Sequence, residues 1–115
     1  WMRGPSGEVI LGLERAFTPG ELRRVDVGQQ SVVVGRTESG SLFACEGWCT
    51  HSKVHLGEGA VIGEEIECPK HNARFDCRTG AATRKPAKEG LRVYPVTVSN
   101  GRVSVHLAGI DSVGP

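Results

Sequence analysis

An all-β fold is what this sequence predicts, on three observations. Apolar and β-branched residues alternate with polar ones at period two, as in Arg24-Val25-Asp26-Val27. The 16 glycines are scattered without a repeat, which suits many turns between short strands. No stretch shows the apolar spacing of an amphipathic helix. At 115 residues the chain has the size of one domain, typically about 100–150 residues, and it is read as a single domain over 1–115.

The elements follow in order. Glu8–Leu13 is a first strand, and Thr18-Pro19-Gly20-Glu21 is a loop. Leu22–Val27 is a half-buried strand that turns at Gly28-Gln29-Gln30. Ser31–Thr37, rich in valine, is a core strand. Glu38-Ser39-Gly40-Ser41 is a hairpin turn, and Leu42–Cys45 returns from it. These three strands form an antiparallel meander, the start of a β-sandwich or barrel base. Alternation then breaks down from about Glu46 to Thr83, which is read as a metal-binding insertion rich in glycine. Within it, Ala73–Asp76 is a strand and Arg78-Thr79-Gly80 a turn. Arg84–Ala87 is a loop, and Leu91–Val98 is a strand interrupted by Pro95, hence an edge or a bulge. Asn100-Gly101 is the strongest hairpin dipeptide in the chain, and Arg102–Leu107 pairs back through it. The tail from Ala108 to Pro115 is expected to fray.

Composition excludes several functions. The net charge is +1, from 14 basic and 13 acidic side chains, so neither a nucleic-acid stripe nor a polybasic membrane signal is present. No run of about 18 apolar residues suggests a membrane span. The first six residues hold neither an apolar signal core nor a twin-arginine pair, so a cytoplasmic location is expected.

Chemistry concentrates between Cys49 and His71. Cys49-Thr50-His51 is followed, after 16 residues, by Cys68-Pro69-Lys70-His71. Two thiolates and two imidazoles suit a four-coordinate zinc. They equally suit a Rieske [2Fe–2S] centre, in which two cysteines hold one iron and two histidines the other. Zinc fingers usually put both cysteines in one knuckle and both histidines in another. Here each loop offers one of each, which favours the binuclear cluster over zinc.

From about Val9 to Leu107 the chain resembles the small Rieske ferredoxins of aromatic-ring-hydroxylating dioxygenase systems. The likeness is most specific at Cys49-Thr50-His51 and at Cys68-Pro69-Lys70-His71-Asn72-Ala73-Arg74-Phe75-Asp76, and extends to Arg78-Thr79-Gly80 and Tyr94-Pro95-Val96. The resemblance implies a Rieske fold of three antiparallel sheets with a cluster-binding subdomain at one end. It implies one [2Fe–2S] cluster per chain, with Cys49 and Cys68 on the inner iron and His51 and His71 on the outer. It implies a one-electron carrier, not an enzyme in itself. The carrier would be a monomer that takes electrons from an NAD(P)H-dependent flavoprotein reductase and delivers them to a terminal Rieske non-haem iron oxygenase. Two other readings stand beside it: a subunit or domain of a larger oxidoreductase of the oxygenase or nitrite-reductase type, and a structural zinc-binding interaction module.

Departures from respiratory relatives are informative. Where those carry an extra disulfide and hydroxyl donors around the cluster, this chain has Val54, Lys70, Ala73 and Phe75. Losing donors to sulfur places the expected potential at the low end of a range of roughly −150 to +300 mV. Asn72 is expected in a left-handed backbone conformation, which Asn tolerates. Arg84-Lys85-Pro86-Ala87 is placed to shield the centre, as is Leu56.

The remaining signals have structural readings. Cys45 and Cys77 are expected as free buried thiols. His55 is expected as an exposed loop side chain, Trp48 as packing beneath the ligand loop, and His106 as structural. Glu64, Glu65 and Glu67 read as a solvated turn, and Lys53 and Lys70 as flanking the histidines and tuning partner choice.

Overall fold

Valine placement in one strand explains how the layers stack. The computed structural model describes all residues except 1, 4–6, 51–52, 71, 86 and 108–115. The strands are β1 (Met2–Arg3), β2 (Glu8–Leu13), β3 (Leu22–Val27), β4 (Gln30–Arg36), β5 (Leu42–Glu46) and β6 (Ala60–Ile62). They continue as β7 (Glu65–Glu67), β8 (Arg74–Asp76), β9 (Ala82–Arg84), β10 (Val93–Tyr94), β11 (Val96–Ser99) and β12 (Arg102–His106). Among the described residues the helical elements are two single 3₁₀ turns, Glu14–Ala16 and Leu56–Glu58.

Three four-stranded sheets result, all antiparallel, in the orders β1-β2-β12-β11, β10-β5-β4-β3 and β6-β7-β8-β9. The second sheet lies between two apolar clusters. Val32 and Val34 of β4 pack with Val9, Val103, Val105 and Phe17, while Val33 packs with Phe43, Ile66 and Phe75. Successive side chains of a strand point to opposite faces, so a strand covered on both sides needs apolar residues at every position. That is why Val32-Val33-Val34 shows no alternation. β3, at the edge of the same sheet, buries Val25 and Val27 and exposes Arg24 and Asp26, as its period-two pattern predicts.

The expected strand over Leu91–Val98 is instead two strands in two sheets. Val93 and Tyr94 pair with Cys45 and Ala44 of β5, whereas Val96–Ser99 pairs with β12. Pro95, which has no N–H to give a ladder, sits at the crossing. The loop expected to begin at Arg84 begins one residue later, because Arg84 pairs with Arg74 at the end of β9. The Asn100-Gly101 turn forms as expected. Its φ values of 53° and 74° are the two left-handed positions of the hairpin turn that matches strand twist. The tail from Ala108 lies outside the described residues.

Candidate metal centre

The two predicted ligand loops have the same closure. The Cys49 N–H donates to the Val54 carbonyl at 3.0 Å, and the Cys68 N–H donates to the Ala73 carbonyl at 2.8 Å. Each cysteine therefore stands at the mouth of a hairpin tip whose closing partner is five residues on. His51 and His71 fall within those tips by sequence but lie outside the described residues.

The first tip is the end of a longer pair of strands. The Leu56 N–H donates to the Gly47 carbonyl at 2.7 Å, and Trp48 and His55 form an antiparallel bridge between the two closures. The second tip joins β7 to β8. Within it Asn72 has a φ of 58°, the left-handed conformation its side chain tolerates. A third loop closes on the first: Thr50 Oγ1 donates to the Glu89 carbonyl at 2.8 Å. The Leu91 N–H ties that loop to the Gly80 carbonyl at 2.7 Å. Gly80 has a φ of 79°, and a Cβ there would stand 2.1 Å from the Leu91 carbonyl oxygen, so this approach requires glycine.

Cys49 and Cys68 are both buried in one apolar cluster with Leu56, Ala73, Phe75, Ala87 and Leu91. The shielding expected of Leu56 fits this position. Val54 packs against the same cluster, and Lys70 is exposed. Ala87 contributes the buried end of the loop expected to shield the centre, whose Pro86 is outside the described residues. Two thiol donors buried in one apolar cluster, each on a tightly closed tip, suit a soft metal or an iron–sulfur cluster. The residues present fit a [2Fe–2S] centre.

Cys45 and Cys77 are reduced and buried in the same cluster. Burial is the first cause that raises both thiols; the charges of Cys77 and Glu46 add to it at Cys45, and those of Asp76, Glu64 and Glu65 at Cys77. Cys77 is pushed up to about 12. Asp76 Oδ1 accepts from the N–H groups of Arg78 and Thr79, at 2.7 and 2.9 Å, and so fixes the turn that carries Cys77.

His55 overturns its expectation. It is 2% exposed, with no place for it at the surface. Its Nδ1 accepts from the Gly57 N–H at 2.9 Å, so the neutral ring carries its proton on Nε2. That Nε2 donates to Ser31 Oγ at 2.7 Å, and the Ser31 hydroxyl donates to Asp26 Oδ1 at 2.5 Å. Burial first, and the nearby Arg24 second, hold the ring below the usual histidine range, against the opposite pull of Asp26 and Glu58. A chain of hydrogen bonds thus ties the first ligand loop to β3 and β4. The signal for it in the sequence is the apolar pair Val54 and Leu56 around His55, with Gly47 opposite. A Cβ on Gly47 would stand 2.4 Å from His55 Nε2.

Trp48 also departs from expectation. It is 44% exposed and meets the His55 ring edge-on, with the Arg24 guanidinium 5.3 Å above its own ring. It lies over His55, not beneath the loop. The acidic run divides. Glu64 lies in the turn after β6, whereas Glu67 binds Arg74 at 2.9 Å and Glu65 approaches the same arginine at 3.8 Å. Those two glutamates are strand residues facing β8. His106 is structural, its Nε2 2.9 Å from Thr97 Oγ1.

The sequence matches the family described as the Rieske [2Fe–2S] domain over residues 7–95. The chain belongs to the Rieske [2Fe–2S] domain family. It is 39% identical over 69 residues to the ferredoxin component of the naphthalene 1,2-dioxygenase system of Pseudomonas putida, covering 60% of this chain and 66% of that one. The match thus spans just under two thirds of that relative. It is 37% identical over 97 residues to the anthranilate 1,2-dioxygenase ferredoxin subunit of Burkholderia cepacia, covering 84% of this Rieske chain and 89% of the relative. Among solved structures it resembles a chain from the complex of reduced oxygenase and oxidized ferredoxin in carbazole 1,9a-dioxygenase. The TM-score there is 0.79 at 34% identity, over 84% of this chain and 99% of the other. As a Rieske domain the chain carries a [2Fe–2S] cluster, and its three antiparallel sheets are those of the Rieske ferredoxins.

Proposed function

We propose that this Rieske domain is the ferredoxin component of an aromatic-ring dioxygenase system, a one-electron carrier and not itself an enzyme. It takes electrons from an NAD(P)H-dependent flavoprotein reductase and gives them to a terminal Rieske non-haem iron oxygenase. The observation that carries this reading is the pair of matched hairpin tips bearing Cys49 and Cys68, in a chain whose relatives are named as dioxygenase ferredoxins.

In this reading Cys49 and Cys68 hold one iron, and His51 and His71 hold the other. When bound, the cluster supplies a one-electron couple. The chain's own residues do the rest. Leu56, Ala73, Phe75 and Ala87 keep water from the thiolate side, and none offers a hydroxyl to sulfur, which favours a low potential. The Thr50–Glu89 bond and the His55 chain hold the first tip from two sides. The whole of 1–115 acts as one Rieske domain, with a cluster-binding subdomain at about 46–83. No helix among the described residues is long and apolar enough to cross a membrane, and we place the carrier in the cytoplasm as a monomer.

The test is absorption and low-temperature EPR of the purified protein before and after dithionite, with iron, sulfide and zinc analysis. The expected result is a red-brown protein that bleaches and gives a rhombic Rieske signal, abolished by Cys49→Ala or His71→Ala. A colourless protein with one zinc and no signal would replace the carrier with a zinc-binding interaction module.

A further inference from the structure

All four lysines of the chain, Lys53, Lys70, Lys85 and Lys88, lie in the three loops that meet at the candidate centre. Those loops are residues 49–55, 68–73 and 85–90. The Thr50–Glu89 hydrogen bond joins the first to the third, and Cys49, Cys68 and Ala87 share one core. The four lysines are exposed, and none is ion-paired among the described residues. Of the ten arginines, five, Arg23, Arg24, Arg36, Arg74 and Arg84, are each held in an ion pair, all of them outside these three loops. Glu89 is the one acidic residue in the three loops, so they carry +3 while the rest of the chain, ten basic against twelve acidic side chains, carries −2. A chain of nearly zero net charge is therefore strongly polarised.

From this distribution we infer that the loop end of the molecule is a cationic docking face for a protein partner whose electron-exchange surface is acidic. The inference rests on the electron-carrier reading and adds the chemistry of the partner to it. Compact, hydrated ammonium groups on flexible stems suit such a face, because they steer encounter at a distance without locking the complex. A carrier that must leave one partner for another needs that balance. Partners with basic faces are repelled by the same four charges.

The test uses the reduced holoprotein and two small oxidants of opposite charge, hexacyanoferrate(III) and hexaammineruthenium(III). Each accepts one electron. The reduced centre with its two thiolates adds one negative charge, which leaves about +2 at the loop end. Against a −3 oxidant at about 10 Å, Debye lengths of about 30 and 8 Å predict a fall of about five- to tenfold in rate from about 10 mM to 150 mM salt. The ruthenium complex should instead speed up with salt. Changing Lys53, Lys70, Lys85 and Lys88 to Gln together should slow hexacyanoferrate at least tenfold at low salt and reverse its salt dependence. A second variant that keeps Lys70, the lysine between Cys68 and His71, should move the same way by a smaller step while its EPR spectrum stays unchanged. As a readout independent of electron transfer, wild-type protein should be retained on immobilised poly-L-glutamate at low salt and the quadruple variant should not. Equal salt slopes for the two oxidants would overturn the docking face while leaving the carrier intact. Stronger retention on heparin or duplex DNA than on poly-L-glutamate would also overturn it, in favour of a phosphate polymer. An absent EPR signal would instead remove the carrier reading, with poly-L-glutamate retention still judging the face.

Discussion

Removing His55 should cost this protein far more than a loop histidine normally would. The ring is buried, accepts from Gly57 and donates to Ser31, which in turn donates to Asp26. In His55→Ala two hydrogen bonds of about 1 kcal/mol each are lost, and the Gly57 N–H is left without its acceptor. The void left by the ring adds about 1 kcal/mol more. The sum is about 3 kcal/mol, or a melting point lower by about 10 °C for a domain of this size. Cluster loss makes unfolding irreversible, so holoproteins are compared at one scan rate. Ser31→Ala breaks both bonds its hydroxyl makes, to His55 and to Asp26, and should cost about 2 kcal/mol; the double variant should cost less than the sum of the two single ones, because they share the His55–Ser31 bond. Amide exchange at Gly57 should accelerate in His55→Ala. The pH dependence has a definite sign. The folded ring resists protonation, so the unfolded state binds a proton that the native state does not. The stability it contributes is present above a pH of about 6.5 and is lost as pH falls toward the lowered folded-state value. His55→Gln should flatten that acid limb. A His55→Ala protein that melts within about 2 °C of wild type, with Gly57 exchange unchanged, would show that the histidine is not the tie.

Three further outcomes are expected. Gly59→Ala places a Cβ 2.0 Å from the Glu67 carbonyl oxygen, a backbone atom with little room to move, and should destabilise the protein by about 2 kcal/mol or more in thermal scans; a neutral effect would mean the 3₁₀ turn shifts freely off β7. Phe75→Tyr brings a hydroxyl to a fully buried position near both cysteines, and should raise the midpoint potential by tens of millivolts, a fraction of the roughly 450 mV spanned by Rieske centres. A fall in potential by protein-film voltammetry would contradict the hydroxyl argument. Native Cys45 and Cys77 should resist alkylation at pH 8, since burial raises both thiols, whereas chelating out the metal should open Cys49 and Cys68 to the reagent. Mass spectrometry showing rapid labelling of Cys77 in the intact holoprotein would refute this.

What was legible in the sequence was local. Period two marked β3, an edge strand with one wet face, and the φ requirement of its turn marked the Asn100-Gly101 hairpin. The motif around Cys49 and Cys68 was legible because ligand chemistry constrains spacing directly. What stayed hidden depended on contacts distant in sequence. Nothing near Pro95 announces that β10 and β11 belong to different sheets, since that follows from pairing with residues 44–45 and 102–105. His55 reads as polar and loop-borne until Ser31, 24 residues earlier, is seen against its Nε2. Glu65 and Glu67 read as solvated charges because Arg74, their partner, arrives only when β7 and β8 pair.

The stretch from Leu91 to Val96 has a mechanical meaning. Leu91 grips the turn at Gly80 beside the third sheet, Val93 and Tyr94 pair into the second, and Val96 pairs into the first. Six consecutive residues thus strap all three layers together. A single cut at the exposed Arg92 would leave both cysteines in covalently intact loops but free the layers to slide, so a nicked molecule would lose its grip on iron while every ligand to it was still on offer in the sequence.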